Sequence, residues 1–348
     1  MECLVFKILS LDGGGTRGTF IAACLAHIEE KLDHPISHYF DLIVATSTGS
    51  IIAVPLGMEV PAATIEKFYL KKVYEVFKPN PPYFSGVYKP ITWTTSPFLE
   101  LFTGVSTDEL VQPKYSSEGL RKIIQSMLRD KTLVDSKKCR LNITAVDLKA
   151  GMPTVFKTPH LPGKWPDENR SVVDIILAAT AAPTYFNPVT IEKGTAFCDG
   201  ALWANNPGIV GYSEAMDISR ICQHISARQF HHDTICMLSI GTGYTHYTHP
   251  PPQEGSGVKW WSQRVMEIMF NTQSQSTSLY LERMLPQENY HRLNFEIVNP
   301  DWGHVDSLGH IDEMAEIGHK IAAENFDKIK DIFFKSPSEE YHQYPPEA

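Results

Sequence analysis

Two apolar segments near the start of the chain are each followed by small residues and then by a helical pattern. Val5–Leu11 is mostly apolar and leads into a glycine-rich loop, and Tyr39–Ala45 leads into small hydroxyl residues and glycine. Such runs are typical of strands that are buried on both faces of a parallel sheet. Thr19–Leu32 has apolar residues at helical spacing, and a second helix begins with Ser50–Leu56. Two strand–turn–helix units in succession predict an α/β fold.

The same patterns predict further elements along the chain. The helices are Pro61–Phe77, Glu118–Leu128, Val172–Thr180, Trp260–Phe270 and Ile311–Phe334, and the strands are Arg140–Leu148, Pro153–Phe156, Ala196–Cys198 and Ile235–Ile240. Residues 79–113 are rich in proline and aromatic side chains, and we expect a long ordered loop that covers a pocket. We predict a single domain over residues 1–335 and a flexible tail over residues 336–348.

Composition and charge exclude several classes of function. The formal net charge of -9 argues against a nucleic-acid-binding protein, which usually carries a basic face. The six cysteines show no C-x-x-C spacing, and the fourteen histidines lack a ligand frame, so we expect no metal. We see no signal peptide and no uninterrupted apolar stretch long enough to cross a membrane. We therefore expect a cytoplasmic protein that meets a membrane only from outside.

A serine lies at the turn between the second predicted strand and its helix. Ser47 is flanked by Thr46, Thr48 and Gly49, and a serine on so sharp a turn exposes its hydroxyl group. The N–H of Thr48 and the start of the helix would then face a developing oxyanion. The alternative is that these residues only cap the helix. Ala45 stands where this kind of turn usually has glycine.

The first loop carries three consecutive glycines. Gly13, Gly14 and Gly15 can turn their N–H groups toward one anion, and Gly18 completes a G-x-G-x-x-G pattern. No acidic residue ends a second strand about twenty positions later, as a dinucleotide site would require. The anion is therefore either a nucleotide phosphate or an oxyanion. Arg17 is a candidate for binding a lipid phosphate, and a surface ion pair is the alternative.

An aspartate follows the short apolar strand at Ala196–Cys198. Asp199 is followed by Gly200 and Ala201, so its side chain can reach into a site from the end of a strand. Partial burial would raise the pKa of Asp199 and make it a better general base. An ordinary Asp-Gly turn is the alternative.

Together these motifs resemble those of the patatin-like phospholipases. Asp12–Gly18, Thr46–Gly49 and Asp199–Ala201 occur in the order and context of that family. The supporting blocks are Ala178–Phe186, Asn205–Pro207 and Leu238–Gly243. The resemblance covers residues 6–300, and it implies a three-layer α/β/α fold with a mostly parallel central sheet and a nucleophile turn.

The resemblance also implies a mechanism. Ser47 would be the nucleophile and Asp199 the general base, without a histidine, a metal or a cofactor. The backbone of Gly13, Gly14 and Gly15, with Thr48, would form the oxyanion hole. The substrate would be a membrane glycerophospholipid, cleaved by a phospholipase A type of reaction. Ala45 and Ala201 depart from the glycines of the family's pattern, and both replacements are small.

Two other functions fit parts of the pattern. A Ser-His-Asp esterase would recruit His291, His304 or His310, since all three follow Asp199 in the order that an α/β-hydrolase requires. A non-catalytic module would use the glycine loop to bind a nucleotide, although that leaves the serine turn and Asp199 without a role.

The start of the chain, Ile8–Gly15, also resembles short bacterial patatin-like proteins that act as membrane-degrading effectors in cyclic-nucleotide anti-phage systems. That resemblance implies a cyclic dinucleotide as activator, peripheral contact with the membrane, and antiviral defence. A homo-oligomer is also compatible with it. No residue pattern identifies the pocket for such an activator.

Overall fold

The computed structural model describes residues 5–80, 113–163, 167, 169–192, 194–225, 232–245, 261 and 265–344. The strands are β1 Phe6–Leu11, β2 Leu42–Ala45, β3 Arg140–Asp147, β4 Met152–Lys157, β5 Val189–Glu192, β6 Thr195–Asp199, β7 Ile235–Ile240 and β8 Tyr290–Leu293. The helices are α1 Gly18–Glu29, α2 Thr48–Gly57, α3 Ala62–Val76, α4 Glu118–Leu128, α5 Val172–Ala179, α6 Ala201–Ala204, α7 Gly208–Ile225, α8 Val265–Met284 and α9 Ile311–Ile329. The loop predicted over residues 79–113 lies outside the described residues except at its ends.

The eight strands form one mixed sheet in the order β5-β6-β3-β2-β1-β7-β8, and β4 pairs with β3. Strands β3, β2, β1, β7 and β8 are parallel to one another. Strands β4 and β6 run antiparallel to β3, and β5 runs antiparallel to β6. The predicted mostly parallel sheet is therefore confirmed, and the antiparallel strands collect at one side of it.

Helices cover both faces of the sheet, which makes three layers. On one face, Leu9, Ile43 and Leu238 belong to the larger core cluster, which also contains the buried residues of α1, α2 and α5. On the other face, Ile8 and Val44 pack in a smaller cluster with residues of α7 and α8. Since successive side chains of a strand point to opposite faces, the largely apolar strands β1 and β2 contribute side chains to both cores. None of the helices in the described ranges is long and apolar enough to span a membrane.

Strand β3 supports two other strands along one of its edges. The first half of β3 pairs with β2, where Ile143 lies opposite Ala45. The second half pairs with β6, where Ala145 lies opposite Asp199. Residues two apart on a strand are roughly 7 Å apart. The residues that follow β2 and the last residue of β6 are therefore brought together, although they are distant in the sequence.

Several elements differ from the sequence-based predictions. The helix predicted over Trp260–Phe270 is described from Val265 and continues to Met284. The helix predicted over Ile311–Phe334 is α-helical to Ile329 and ends in a π-helical turn. Helix α7 and the short strands β5 and β8 were not predicted.

The segment predicted to be a flexible tail makes specific contacts as far as residue 344. The N–H of Ser338 donates to the carbonyl oxygen of His38 at 2.7 Å, and the N–H of Tyr344 donates to that of Pro159 at 2.8 Å. The side chain of Tyr341 is buried, and the guanidinium of Arg140 lies 4.9 Å from the centre of its ring. These contacts attach residues 336–344 to the domain.

Candidate active site

Ser47 has a backbone conformation that residues other than glycine rarely adopt. It lies between β2 and α2 with φ 51° and ψ −123°. The positive φ falls on Ser47, whereas Ala45 remains in the regular strand β2 and pairs with Leu11 and Ile143. Alanine at position 45 therefore introduces no backbone strain. The strain at the serine itself is of the kind found at functional sites.

The hydroxyl group of Ser47 donates to the Oδ2 atom of Asp199 at 2.6 Å. The other carboxylate oxygen, Oδ1, accepts from the N–H of Ala201 at 2.8 Å. Asp199 is 1 % exposed, and this burial raises its pKa to about 7 although both hydrogen bonds act in the opposite direction. A carboxylate with a pKa near neutrality can accept a proton from a hydroxyl group and return it.

Small residues let the two strand ends approach each other. A Cβ atom on Gly49 would lie 2.5 Å from the carbonyl oxygen of Leu11, and one on Gly200 would lie 2.2 Å from the Oγ1 atom of Thr144. The hydroxyl of Thr46 is within 2.7 Å of that of Thr144, so the base of the serine turn is tied to β3. These contacts explain why the predicted motif needs small flanking residues.

The glycine loop supplies unpaired N–H groups, but not from all three glycines. The N–H of Gly13 donates to the carbonyl oxygen of Asn205 at 2.8 Å, so it is not available to an oxyanion, and the inclusion of Gly13 in the predicted oxyanion hole is wrong. Within the described ranges, no oxygen accepts from the N–H of Gly14, Gly15 or Thr48. All three of these residues line the cavity that contains Ser47.

The loop that contains Val305 packs against the glycine loop. The carbonyl oxygen of Val305 accepts from the N–H of Thr16 at 2.8 Å. Gly15 has a φ of +61°, and a Cβ atom there would lie 1.9 Å from that carbonyl oxygen. Glycine is therefore required at position 15 both by its backbone conformation and by this close approach. Val305 carries no pattern that would have identified it from the sequence.

Arg17 lies beneath the loop rather than on an open surface. Its side chain is buried, its Nε donates to the carbonyl oxygen of Thr242 at 2.8 Å, and its Nη1 donates to that of Gly303. Burial lowers the pKa of Arg17 to about 10. The alternative of a surface ion pair does not agree with these contacts. Gly18 follows it at the start of α1, where a Cβ atom would lie 2.6 Å from the hydroxyl of Tyr69.

A buried ion pair, absent from the sequence analysis, supports the first residue of the motif. Arg292 Nη2 lies 2.6 Å from Asp12 Oδ2, and Arg292 Nη1 donates to the Oγ atom of Ser239 at 2.6 Å. Both charged side chains are largely buried. The two residues are 280 positions apart in the sequence, and no local pattern marks Arg292. The pair could therefore not be predicted from the sequence.

An apolar cavity opens beside Ser47 and Asp199. Its walls come mainly from α2, α3 and the segment after α5, and include Ile51, Phe68, Val73, Val76, Phe77 and Phe186. An aliphatic chain would be stabilised in such a cavity because it removes apolar surface from water. The cavity therefore offers room for the acyl part of an ester whose carbonyl carbon is placed at Ser47.

Histidines do not reach this cavity in the part of the chain that the structure describes. The predicted alternative triad needs a histidine between Ser47 and Asp199, but the lining residues include none. His291 Nε2 instead contacts the carbonyl oxygen of Glu288 at 3.1 Å, and His304 lines a neighbouring cavity. The described residues also contain no cluster of histidine, cysteine and acidic side chains that could hold a metal ion.

Comparisons with known proteins agree with this geometry. Residues 9–208 match the family described as patatin-like phospholipase. A "cGAMP-activated phospholipase" from Vibrio cholerae is 29 % identical over 96 % of this chain and 96 % of its own length. Another protein of that description, from Escherichia coli, is 34 % identical over 70 % of this chain and 64 % of its own length. "Patatin-like protein 4" from Arabidopsis thaliana is 27 % identical over 91 % of this chain and 83 % of its own length.

A three-layer α/β fold that presents a serine on a strained strand–helix turn beside an apolar cavity defines a serine hydrolase of lipids. Since the family match spans more than half of the sequence, the chain belongs to the patatin-like phospholipase family. This membership confirms the predicted family and enzyme class. It contradicts the alternative of a non-catalytic nucleotide-binding module.

Proposed function

We propose that this enzyme cleaves ester-linked fatty acids from membrane glycerophospholipids by means of a Ser47–Asp199 dyad. The observation that carries the proposal is the 2.6 Å hydrogen bond from the Ser47 hydroxyl to the buried Asp199 carboxylate. It lies at the edge of an apolar cavity, next to N–H groups that have no acceptor among the described residues.

In the acylation step, the Oγ atom of Ser47 attacks the ester carbonyl carbon while Asp199 takes the hydroxyl proton. The carbonyl oxygen becomes an oxyanion, which the N–H groups of Gly14, Gly15 and Thr48 stabilise. When the ester bond breaks, the proton passes from Asp199 to the departing lysolipid oxygen. The fatty acid is then held as an ester of Ser47.

In the deacylation step, Asp199 removes a proton from a water molecule that attacks the acyl-enzyme. The same N–H groups stabilise the second oxyanion. The bond to Ser47 breaks, the proton returns to its Oγ atom, and the free fatty acid leaves. The carboxylate is restored, so one group serves as base and as acid in each half of the reaction.

The test is mass spectrometry of the products from mixed phospholipids, with wild type and Ser47→Ala compared. We expect the variant to lose lysophospholipid and fatty acid release by roughly 10⁶-fold, the scale seen when a nucleophilic serine is removed. Ser126→Ala is a matched control, because Ser126 lies on α4 and donates only to the carbonyl oxygen of Ile123. Wild-type rates in the Ser47→Ala enzyme would contradict the proposal.

We further propose that a cyclic dinucleotide activates the enzyme, in a role in antiviral defence at the membrane surface. The support is the description "cGAMP-activated phospholipase" of the Vibrio cholerae and Escherichia coli relatives. The experiment measures phospholipid hydrolysis with and without a panel of cyclic dinucleotides, and includes linear dinucleotides as a control. We expect one member of the panel to raise the rate, whereas equal rates throughout would refute the regulated form of the proposal.

A further inference from the structure

Four strands continue the sheet beyond Ser47 and Asp199 as a small antiparallel projection. Its order is β5-β6-β3-β4, and each of its strand pairs is antiparallel. Ala145 of β3 lies opposite Asp199, and the turn from β3 to β4 begins three residues later, at Leu148. This turn therefore lies about 10 Å beyond Asp199, at the end of the sheet where Ser47 follows β2.

The turn at the end of this projection is apolar and exposed, and we name residues 148–153 the apolar tip. Its sequence is Leu-Lys-Ala-Gly-Met-Pro, and all six residues are exposed. Leu148 is 46 % exposed and Met152 is 59 % exposed. Six consecutive exposed residues with a single charge among them form a patch rather than an isolated apolar side chain, and such patches mark interaction surfaces.

Backbone N–H groups of the apolar tip are already bonded within the protein. The Oδ1 atom of Asp147 accepts from the N–H of Lys149 at 2.8 Å and from that of Ala150 at 3.0 Å. The N–H of Leu148 donates to the carbonyl oxygen of Ala196 at 2.9 Å. Moving an N–H group out of water costs less free energy when its hydrogen bond is kept. The tip can therefore enter a medium of low polarity without losing these three bonds.

The charge that the apolar tip presents to solvent is positive. Lys149 is exposed, whereas the carboxylate of Asp147 is turned toward the backbone of the turn, and that of Glu192 at the end of β5 pairs with Arg170. A lysine can lay its aliphatic stem beside apolar groups while its ammonium stays in a polar layer. Apolar side chains around one cation match the boundary between the head groups and the acyl chains of an anionic bilayer.

We propose that the apolar tip is the part of the enzyme that enters the membrane, with Leu148 and Met152 among the acyl chains and Lys149 at a lipid phosphate. This inference rests on the proposed function, in which the substrate is taken from a bilayer. Because the tip lies at the end of the sheet that carries Ser47 and Asp199, its insertion brings the apolar cavity to the lipid surface. The net charge of -9 opposes an anionic membrane at long range, so binding depends on this local contact.

The experiment measures sedimentation of the enzyme with vesicles of phosphatidylcholine mixed with phosphatidylglycerol. All proteins carry Ser47→Ala, so binding is measured without hydrolysis, and every sample contains the same panel of cyclic dinucleotides. Leu148→Ser combined with Met152→Ser should weaken binding on the order of tenfold or more, because two half-exposed apolar side chains no longer leave water.

The matched control combines Leu279→Ser with Met284→Ser. It removes one leucine and one methionine of similar exposure, 53 % and 44 %, from α8. The adjacent Leu281 and Leu285 pack in one cluster with Phe6 at the start of β1, so this surface lies toward the opposite end of the sheet. The control variant should bind vesicles as its parent does.

A third variant tests the charge. Lys149→Gln should weaken binding to the mixed vesicles on the order of fivefold and leave binding to phosphatidylcholine alone unchanged. An unchanged affinity for the mixed vesicles would overturn the role of Lys149.

Equal binding by the tip variant and its parent, or equal losses in the tip and control variants, would overturn the assignment of the apolar tip. So would a tip variant that keeps its affinity for vesicles but has a smaller mass in solution, since the tip would then join copies of the chain. Failure of the proposed chemistry is separate, because it would appear as ester hydrolysis by Ser47→Ala, whereas vesicle binding does not depend on turnover.

Discussion

At the scale of single residues, Asp199 combines two opposing demands. Its burial raises the pKa to about 7, which suits a base that exchanges a proton with a hydroxyl group near neutral pH. The same burial disfavours the ionised form, which the proposed mechanism requires. At a pH where the carboxylate of Asp199 is ionised, it should therefore support the proposed catalysis and at the same time lower the free energy of unfolding.

The pH dependence of activity follows from the value for Asp199. Only the ionised carboxylate can accept the proton of Ser47, so kcat/KM should rise about tenfold per pH unit below pH 7 and level off above it. Steady-state rates on a soluble, uncharged ester between pH 5 and 9 measure this profile. A profile that is flat from pH 5 to 7 would contradict a role for Asp199 as the base.

The stability effect has the opposite sign from that of a salt-bridged aspartate. Because the pKa of Asp199 is raised in the folded state, the folded protein binds the proton more tightly, and stability is lost as pH rises between about 4 and 7. Asparagine cannot ionise, so Asp199→Asn should be inactive yet have a higher Tm than wild type at pH 8. At pH 4 the two Tm values should converge. A lower Tm for the variant at pH 8 would refute this account.

Two glycines with nearly the same φ allow the effect of backbone strain to be distinguished from the effect on catalysis. Gly15 and Gly151 have φ values of +61° and +65°, but only Gly15 faces a neighbour, the carbonyl oxygen of Val305. Alanine at either position should cost about 1 kcal/mol through the backbone. Only Gly15→Ala should also displace the glycine loop, and we expect it to lower kcat by roughly 10²-fold or more. Equal kcat values in the two variants would argue against an oxyanion role for this loop.

At the scale of elements, α3 forms much of the wall of the apolar cavity. Val73 lines the cavity and is 2 % exposed, whereas the adjacent Tyr74 points outward and is 47 % exposed. Val73→Trp should fill the cavity and reduce kcat/KM for long-chain esters more than for short-chain ones. Tyr74→Trp adds a similar ring on the outer face of the same helix and should leave that chain-length profile unchanged.

A series of p-nitrophenyl esters of increasing acyl length measures the two profiles. Some loss of stability is expected for Val73→Trp, typically about 1–3 kcal/mol for an overpacked site. The ratio of long-chain to short-chain rates within each variant does not depend on the fraction that is folded. An equal proportional fall in kcat/KM for every ester would show that Val73 does not limit the length of the acyl chain.

The elements also show where sequence patterns succeed. Helix α4 and strand β7 have the predicted boundaries, because each presents a clear apolar pattern between polar ends. Helix α7 was not predicted. On the face that packs against the sheet, the small residues Gly211 and Ala215 stand among larger apolar ones such as Ile218, so the apolar pattern along the sequence is weakened. Strand β8 has only four residues, too few for a periodic pattern.

The candidate site was predictable as a set of motifs but not as a geometry. Ser47 and Asp199 each stand at a strand end with small neighbours, which is visible locally. Their meeting depends on the antiparallel pairing of β6 with β3, a non-local contact that propensities cannot specify. For the same reason, the hydrogen bond from the N–H of Gly13 to the carbonyl oxygen of Asn205 could not be foreseen.

At the scale of the whole molecule, the C-terminal segment connects distant parts of the domain. Lys7 Nζ donates to the carbonyl oxygen of Ser336 at 2.8 Å, and the hydroxyl of Tyr341 donates to that of Ser136. None of these residues lines the apolar cavity beside Ser47. Deletion of residues 336–348 should therefore lower the Tm by several degrees while kcat at 25 °C stays unchanged.

Scanning calorimetry and initial rates measure these two quantities. Tyr341→Phe is a milder companion variant. It removes the hydrogen bonds of the hydroxyl group with Ser136 and Gln343 but keeps the ring beside Arg140, so its Tm should lie between those of wild type and the deletion variant. An unaltered Tm after deletion would mean that these contacts add no stability.

Strand β3 positions both Ser47 and Asp199, whereas other elements form the wall that would contact the acyl chain. A protein engineer can therefore alter the two independently. Because β2 and β6 both pair with β3, the spacing between Ser47 and Asp199 is set by the sheet rather than by the helices that connect these strands. The residues of α3 and α4 that line the acyl cavity could be exchanged without moving the reacting atoms, provided that Tyr69 is kept, because its hydroxyl contacts Thr48 next to Ser47. A single scaffold could then yield a panel of hydrolases that share one reaction and differ in the fatty acid that they release.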